Sequence, residues 1–152
     1  MLILTESLSG LSKMPGEVDL STSRLPIVIY DGQCGVCNRA VRFIIKIDRK
    51  ERLMFCSSDA RQAQVIAGRF FGQTGATVLL VEGGKISTRS DAFIRILEIV
   101  GGAWSFARLF RIIPSALRNM IYDFIARNRH RFGAKTNRCE FPETTYGHRF
   151  IK

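Results

Sequence analysis

Two cysteines three positions apart are the residues of this chain best suited to chemistry. Cys34 and Cys37 enclose a Gly-Val dipeptide, and they follow a continuous apolar run from Leu25 to Tyr30. A Cys-x-x-Cys segment at a strand-to-helix junction, within a β–α–β pattern, indicates a redox pair rather than a zinc knuckle. On the first turn of a helix, this spacing brings two sulfur atoms within disulfide reach.

The amino end of the predicted helix favours a negative charge on Cys34, because unpaired N–H groups and the positive end of the helix dipole lie there. In such motifs the pKa of the thiol falls from about 8.5 to about 3.5–7.5. Cys34 is therefore predicted to attack a partner's disulfide, and Cys37, one turn deeper, to resolve the mixed disulfide. Arg39 and Arg42 would add to this effect if their side chains lie near the sulfur.

Asp31, three residues before Cys34, is the third candidate catalytic residue. Its carboxylate could accept a proton from a cysteine during exchange or orient a water that does so. It could instead bond the backbone N–H groups of the turn, as Asp often does. A carboxylate near Cys34 also opposes thiolate formation, so the sequence leaves both roles open.

A metal site is the main alternative for the cysteine pair. Zinc would require two further ligands, and the candidates are Cys56, Cys139, His130 and His148. None of these forms a second closely spaced pair, so we favour the redox pair and expect no metal. Cys56 is predicted to point into the core from a strand. Both histidines are predicted to lie on the surface without a carboxylate neighbour.

Length and composition are those of a single globular domain. The chain has 152 residues, of which 46% are hydrophobic and 24% charged, enough for a core without disulfides. No apolar run approaches the about 18 residues of a membrane-spanning helix. The amino terminus lacks the basic segment of a signal peptide, and its acidic residues disfavour a transit peptide. The sequence thus predicts a soluble cytoplasmic protein.

The net charge of +10 is concentrated in residues 108–138, which sum to +7. Such a basic region can attract an acidic partner, nucleic acid or anionic lipid, or can be the solvated face of ordinary helices. No nucleic-acid motif accompanies it, so we favour the solvated face and expect no specific nucleic-acid binding. The apolar residues and arginines between Trp104 and Ile125 are amphipathic enough for an anionic membrane. We favour packing against the sheet, whose faces must be covered.

The elements that position the cysteine pair follow the order β-α-β-α-β-β-α, with further helices behind. Strands are predicted over residues 25–30, 53–56, 77–81 and 85–88. Helices are predicted over residues 38–50, 59–70, 90–100, 104–113 and 114–127, with Ser90 as a helix cap, and the tail from Gly133 is predicted to be irregular. This order predicts an α/β fold, a small mixed sheet with helices on its faces. Residues 1–24 are predicted to be a flexible leader, and residues 25–152 the domain with its helical extension.

The segment Ile29–Asn38, followed by Val41-Arg42-Phe43, resembles the DCC family of thiol–disulfide oxidoreductases. The family is named for the pattern that Asp31, Cys34 and Cys37 match here. The resemblance covers residues 26 to 142, through Ser90-Asp91-Ala92, Ile113-Pro114, Ile121-Tyr122, Ala126-Arg127-Asn128-Arg129, Phe132-Gly133 and Cys139. It implies a thioredoxin-like fold and a dithiol activity on a thiol or disulfide substrate, a small molecule or a protein. No cofactor is expected beyond an external reductant or oxidant.

Two positions receive a further interpretation from this resemblance. Cys139 is either a packing or free thiol, which we favour, or an additional exchange partner near the cysteine pair. Ala76 stands where thioredoxins have a cis-proline that faces the cysteine pair. A cis bond before a non-proline residue costs ~2.5–4 kcal/mol, so the bond before Ala76 is expected to be trans. This departure argues against a peptide groove of the thioredoxin type.

Overall fold

A computed structural model of the chain describes residues 24–74, 78–128, 131 and 146–151. Its five strands are β1 (Ile27–Tyr30), β2 (Met54–Ser57), β3 (Val78–Glu82), β4 (Lys85–Thr88) and β5 (Phe150–Ile151). Its four α-helices are α1 (Gly35–Ile47), α2 (Arg61–Thr74), α3 (Arg89–Val100) and α4 (Ser115–Arg127). Two 3₁₀ helices, Gly102–Ile112 and Gly147–Arg149, complete the described elements.

The five strands form one mixed sheet in the order β4-β3-β1-β2-β5. β1 is parallel to β2 and antiparallel to β3, and β4 is antiparallel to β3. The predicted α/β fold is confirmed, and it is consistent with the thioredoxin-like fold that the resemblance implies. β1 and β4 are both antiparallel to β3, so their carboxyl ends lie at the same edge of the sheet. Because α1 follows β1 and α3 follows β4, both helices begin at that edge.

Helices cover both faces of the sheet, and β1 shows how the sequence achieves this. Successive side chains of a strand point to opposite faces. Val28 and Tyr30 pack with α1 and α3, whereas Ile27 and Ile29 pack with α2. All four side chains are buried. A strand that is covered on both sides needs apolar residues at every position, which explains the uninterrupted run in the sequence.

Residues 147–151, the described end of the tail that was predicted to be irregular from Gly133, form a 3₁₀ helix and a strand. Phe150 pairs with Phe55, and Ile151 pairs with Cys56, so β5 extends the sheet beside β2. Arg149 is buried and forms an ion pair with the equally buried Asp48. Sequence periodicity could not reveal a strand of two residues, since the pairing and the ion pair depend on a segment about a hundred positions away.

Two details of the helices also correct the sequence analysis. α1 begins at Gly35, which agrees with the predicted place of the cysteine pair on its first turn but lies three residues before the range 38–50 that the periodicity gave, because Cys34 itself caps the helix. Ser90 does not cap α3; it lies inside that helix, and its hydroxyl donates to the Asn119 side chain at 2.6 Å.

The expectation that the Trp104–Ile125 segment packs against the sheet is wrong for most of its apolar side chains. Ten apolar residues of this segment are each between 40% and 80% exposed: Trp104, Phe106, Leu109, Phe110, Ile112, Leu117, Met120, Ile121, Phe124 and Ile125. Helices α1 and α3 already cover one face of the sheet and α2 covers the other. The 3₁₀ helix Gly102–Ile112 and α4 therefore pack outside α3.

Candidate active site

The cysteine pair lies between the carboxyl end of β1 and the amino end of α1. A turn from Asp31 to Cys34 connects the two elements. The Cys34 N–H donates to the Asp31 carbonyl at 3.2 Å, and the Gln33 N–H donates to the Asp31 carboxylate at 3.0 Å. Asp31 therefore holds the turn through both its backbone and its side chain, which is the second of the two roles considered for it.

Cys34 is the residue that caps α1. Its backbone is extended, with φ −90° and ψ 113°, and its Sγ accepts the backbone N–H of Cys37 at 3.4 Å. A side chain that accepts a hydrogen bond here satisfies one of the donors that every helix leaves unpaired at its start. Negative charge on this sulfur interacts favourably with the same N–H group and with the helix dipole.

The two cysteines carry free thiols and are both largely buried. Cys34 exposes 8% of its surface and Cys37 exposes 4%. Arg39 and Arg42 lie on the exposed side of α1.

Asn38 also helps to shape the site, although the sequence analysis assigned it no role. Its side chain is buried and donates from Nδ2 to the carbonyl of Gly32 at 3.0 Å. Helical side chains point back towards the amino end of their helix, so a short amide in the first turn can reach the preceding loop. The sequence itself gives no sign of this contact, because an amide after Cys37 could equally be solvated.

Cys56 contrasts with the cysteine pair. It pairs with Ile29 across the sheet and packs among the residues that α2 covers. Its side chain is fully buried, so the prediction that it points into the core is confirmed. Burial raises the pKa of the Cys56 thiol from 9.0 to about 11, which keeps it protonated at neutral pH.

The remaining candidates are distributed as follows. His148 is on the surface as predicted, but it has a carboxylate neighbour: its Nε2 lies 3.1 Å from Oε1 of Glu51. Cys139, His130 and Ala76 lie outside the described residues. Within the described part of the chain, no three side chains of His, Cys, Asp or Glu are grouped as a metal site requires.

A dithiol at the first strand-to-helix junction of a mixed, helix-covered sheet is the arrangement of thioredoxin-like redox proteins. The chain belongs to the DCC1-like thiol-disulfide oxidoreductase family, whose family model matches residues 28–135. This membership indicates a redox function and substrates that are thiols or disulfides.

Two curated relatives agree with this assignment. The uncharacterized protein YuxK of Bacillus subtilis (strain 168) is 31% identical over 136 residues, which cover 87% of this chain and 99% of YuxK. A chloroplastic DCC family protein of Arabidopsis thaliana is 25% identical over 118 residues, which cover 76% of this chain and 69% of that protein. No solved structure matches the chain significantly.

Neither relative establishes the cellular compartment of this protein. Among the helices that the structure describes, none is long and apolar enough to cross a membrane. One relative is chloroplastic by name, so the cytoplasmic location stays a prediction.

Proposed function

We propose that this protein is a thiol–disulfide oxidoreductase in which Cys34 attacks and Cys37 resolves. The observation that carries the proposal is the hydrogen bond from the Cys37 N–H to Cys34 Sγ at the amino end of α1. A thiolate is the nucleophile in disulfide exchange, and this position favours the thiolate form of Cys34 over that of a sulfur elsewhere in the chain.

The exchange has two steps. The Cys34 thiolate attacks one sulfur of the substrate disulfide, whose S–S bond breaks and releases one substrate thiolate. Cys37 then loses its proton and attacks Cys34 Sγ, which breaks the mixed disulfide and releases the second thiolate. The protein has then given two electrons to the substrate and holds a Cys34–Cys37 disulfide. An external thiol reductant returns it to the dithiol, and an external oxidant drives the same steps in reverse.

The assignment of roles rests on position and exposure. Cys34 lies before the helix and exposes the larger fraction of its surface, whereas Cys37 lies in the first turn and exposes about half as much. A substrate sulfur approaching from solvent meets Cys34 first. Cys37 is held beside Cys34 by the helix and is available for the second step.

Asp31 is proposed as a proton acceptor in the second step, in addition to its contacts in the turn. Asp31 begins the turn that ends at Cys34, so its carboxylate is close to the cysteine pair along the chain, and carboxylates can take a proton from a thiol during exchange. Asp31→Asn preserves an oxygen acceptor for the turn but removes the basic carboxylate. We expect Asp31→Asn to slow the release of substrate from the mixed disulfide. A variant with an unchanged rate would leave Asp31 with the positioning role alone.

Cysteine variants test the proposal directly. The assay mixes the reduced protein, freed of other reductants, with a small aromatic disulfide and follows the coloured thiolate that is released, because an added dithiol would itself reduce that disulfide and any trapped mixed disulfide. We expect Cys34→Ser to abolish the reaction and Cys37→Ser to accumulate a mixed disulfide, seen as added mass on the intact protein. Cys56→Ala is the matched control, because Cys56 is fully buried on the other face of the sheet.

Two outcomes would contradict the proposal. Full turnover by Cys34→Ser would remove Cys34 as the nucleophile. Full turnover by Cys37→Ser, without a trapped species, would replace the dithiol mechanism by one that uses a single thiol. The proposed compartment is the cytoplasm, where small thiols keep protein cysteines reduced and could regenerate the pair.

A further inference from the structure

Helix α4 turns its apolar side towards solvent. Leu117, Met120, Ile121, Phe124 and Ile125 form one stripe at spacings of three and four residues, and each is 45–65% exposed. The opposite side of the helix is partly covered, and it carries small and polar side chains: Asn119, Tyr122, Asp123 and Ala126. This is the reverse of the pattern in a helix that packs its apolar face on a core.

Polar contacts with the amino end of α3 fix this orientation. Arg118 bonds the Asp91 carboxylate at 2.7 Å, and Asn119 accepts the Ser90 hydroxyl at 2.6 Å. Arg89 lies 3.6 Å from Asp123. A rotation that buried the apolar stripe would break all three contacts, so the exposed stripe is a built feature of the fold.

The 3₁₀ helix that directly precedes α4 also exposes large apolar side chains. Phe106, Leu109, Phe110 and Ile112 are 58–80% exposed. We call these four side chains and the α4 stripe the apolar surface. Monomeric soluble proteins seldom expose so many large apolar side chains together, and such surfaces mark sites of interaction.

Arg111 pairs with Glu98 and Arg118 pairs with Asp91, so the remaining charges of the described 3₁₀ helix and α4 are mainly positive. Arg108 and Arg127 are exposed, and within the described residues neither forms an ion pair. Asp123, the single acidic residue between 102 and 131, lies beside Arg89. A second copy of the chain on this surface would bring arginines of both copies together. An anionic partner has the complementary charge.

We propose that the apolar surface binds the interface of an anionic lipid membrane. Exposed Phe, Leu and Ile side chains bordered by arginines are the composition of helices that lie in a membrane interface with their apolar side among the acyl chains. The arginine heads can then remain at the level of the lipid phosphates. No helix needs to span the bilayer for this.

Membrane binding would bring the dithiol close to the lipid. α4 is bonded to Ser90 and Asp91 in the first turn of α3, and α3 begins at the same sheet edge as α1, which Cys34 caps. The binding itself does not depend on the proposed redox function, and it is measured without any thiol substrate.

Sedimentation of the full-length protein with vesicles tests the proposal. We expect binding to vesicles of phosphatidylcholine mixed with phosphatidylglycerol and much weaker binding to phosphatidylcholine alone. The double variant Ile121→Gln/Phe124→Gln should bind the mixed vesicles at least about tenfold more weakly, because it removes two side chains that would enter the lipid. Leu25→Gln is the apolar control, since Leu25 is 40% exposed and belongs neither to the 3₁₀ helix nor to α4.

The arginines are tested in the same way. Arg108→Gln/Arg127→Gln should weaken binding severalfold, whereas Arg61→Gln, at the exposed start of α2 on the other side of the sheet, should not. Raising the salt from about 0.1 M to about 1 M should also weaken binding, since screening shortens the Debye length from about 10 Å to about 3 Å. Far-UV circular dichroism checks that each variant remains folded.

Several results would overturn the proposal. One is the absence of binding to the mixed vesicles, and another is binding that Ile121→Gln/Phe124→Gln leaves unchanged. A stable dimer, seen by light scattering and dissociated by the same double variant, would assign the surface to self-association. Binding to polyglutamate but not to vesicles would assign it to an acidic protein.

Loss of disulfide exchange in Cys34→Ser with normal vesicle binding would separate this proposal from the redox function.

Discussion

The buried ion pair between Asp48 and Arg149 leads to a quantitative prediction about stability. Both residues are at most 2% exposed. The Asp48 carboxylate accepts the backbone N–H groups of Arg52 and Leu53, each at 3.1 Å, together with the Arg149 guanidinium. The guanidinium also donates to the Leu53 carbonyl at 3.1 Å and lies 5.2 Å from the centre of the Phe55 ring.

Arg149→Met should remove the charge while filling much of the same volume. The Asp48 carboxylate then stays buried with its two backbone donors but without a counter-ion, and the Leu53 carbonyl loses its side-chain donors. Removing one partner of a buried pair costs about 3–5 kcal/mol. Since a domain is stable by only about 5–15 kcal/mol, this loss is a large share of the free energy of unfolding.

Equilibrium unfolding in urea, followed by far-UV circular dichroism, measures this loss. The cycle of Asp48→Asn, Arg149→Met and the double variant should show a coupling energy of about 2 kcal/mol, because the double variant leaves no buried charge unpaired. Arg61→Met, at an exposed position, is the control and should change stability by less than about 0.5 kcal/mol. A loss below about 1 kcal/mol for Arg149→Met, or strict additivity in the cycle, would refute the reasoning.

Three further predictions concern the site and the buried thiol. Iodoacetamide at pH 6 should modify Cys34 before the other cysteines, as peptide mass mapping will show; equal labelling would remove the argument for an activated thiolate. Asn38→Ala should reduce stability by about 1–3 kcal/mol and slow disulfide exchange, because the Gly32 carbonyl loses its partner; an unchanged rate would show that the loop is held without the amide. Burial raises the pKa of Cys56 to about 11, so the folded protein keeps a proton that the unfolded chain releases near pH 9. The free energy of unfolding should therefore decline as the pH rises from about 9 towards 11, and Cys56→Ala should lack this part of the decline.

Features that depend on neighbouring residues were predictable from the sequence. The apolar run of β1 and the periodicity of α3 indicate a buried strand and a helix packed on the sheet, because each element must bury its own apolar side. Because Cys34 and Cys37 follow a buried strand, the sequence already indicated that Cys34 lies at the amino end of the next helix. Only the helix range taken from apolar periodicity, 38–50, began three residues too late, because a cysteine is an unusual helix cap.

The contacts that Asp31 and Asn38 make were decided only by the tertiary structure. Sequence spacing permitted Asp31 either to bond the turn or to serve as a base, and the coordinates show its contact with the Gln33 N–H. Asn38 drew no interpretation at all, since an amide in a helix says nothing about the loop that it contacts. Its partner, Gly32, is six residues away.

By itself, the sequence determined the core β–α–β pattern and the site of the dithiol, because short-range periodicity and chain direction suffice for both. Only the tertiary structure decided that Arg149 lies buried against Asp48, 101 residues earlier, and that α4 presents its apolar side to solvent. Amphipathicity states that a helix has an apolar side but not what that side faces. That choice depends on which surfaces the other helices have already covered.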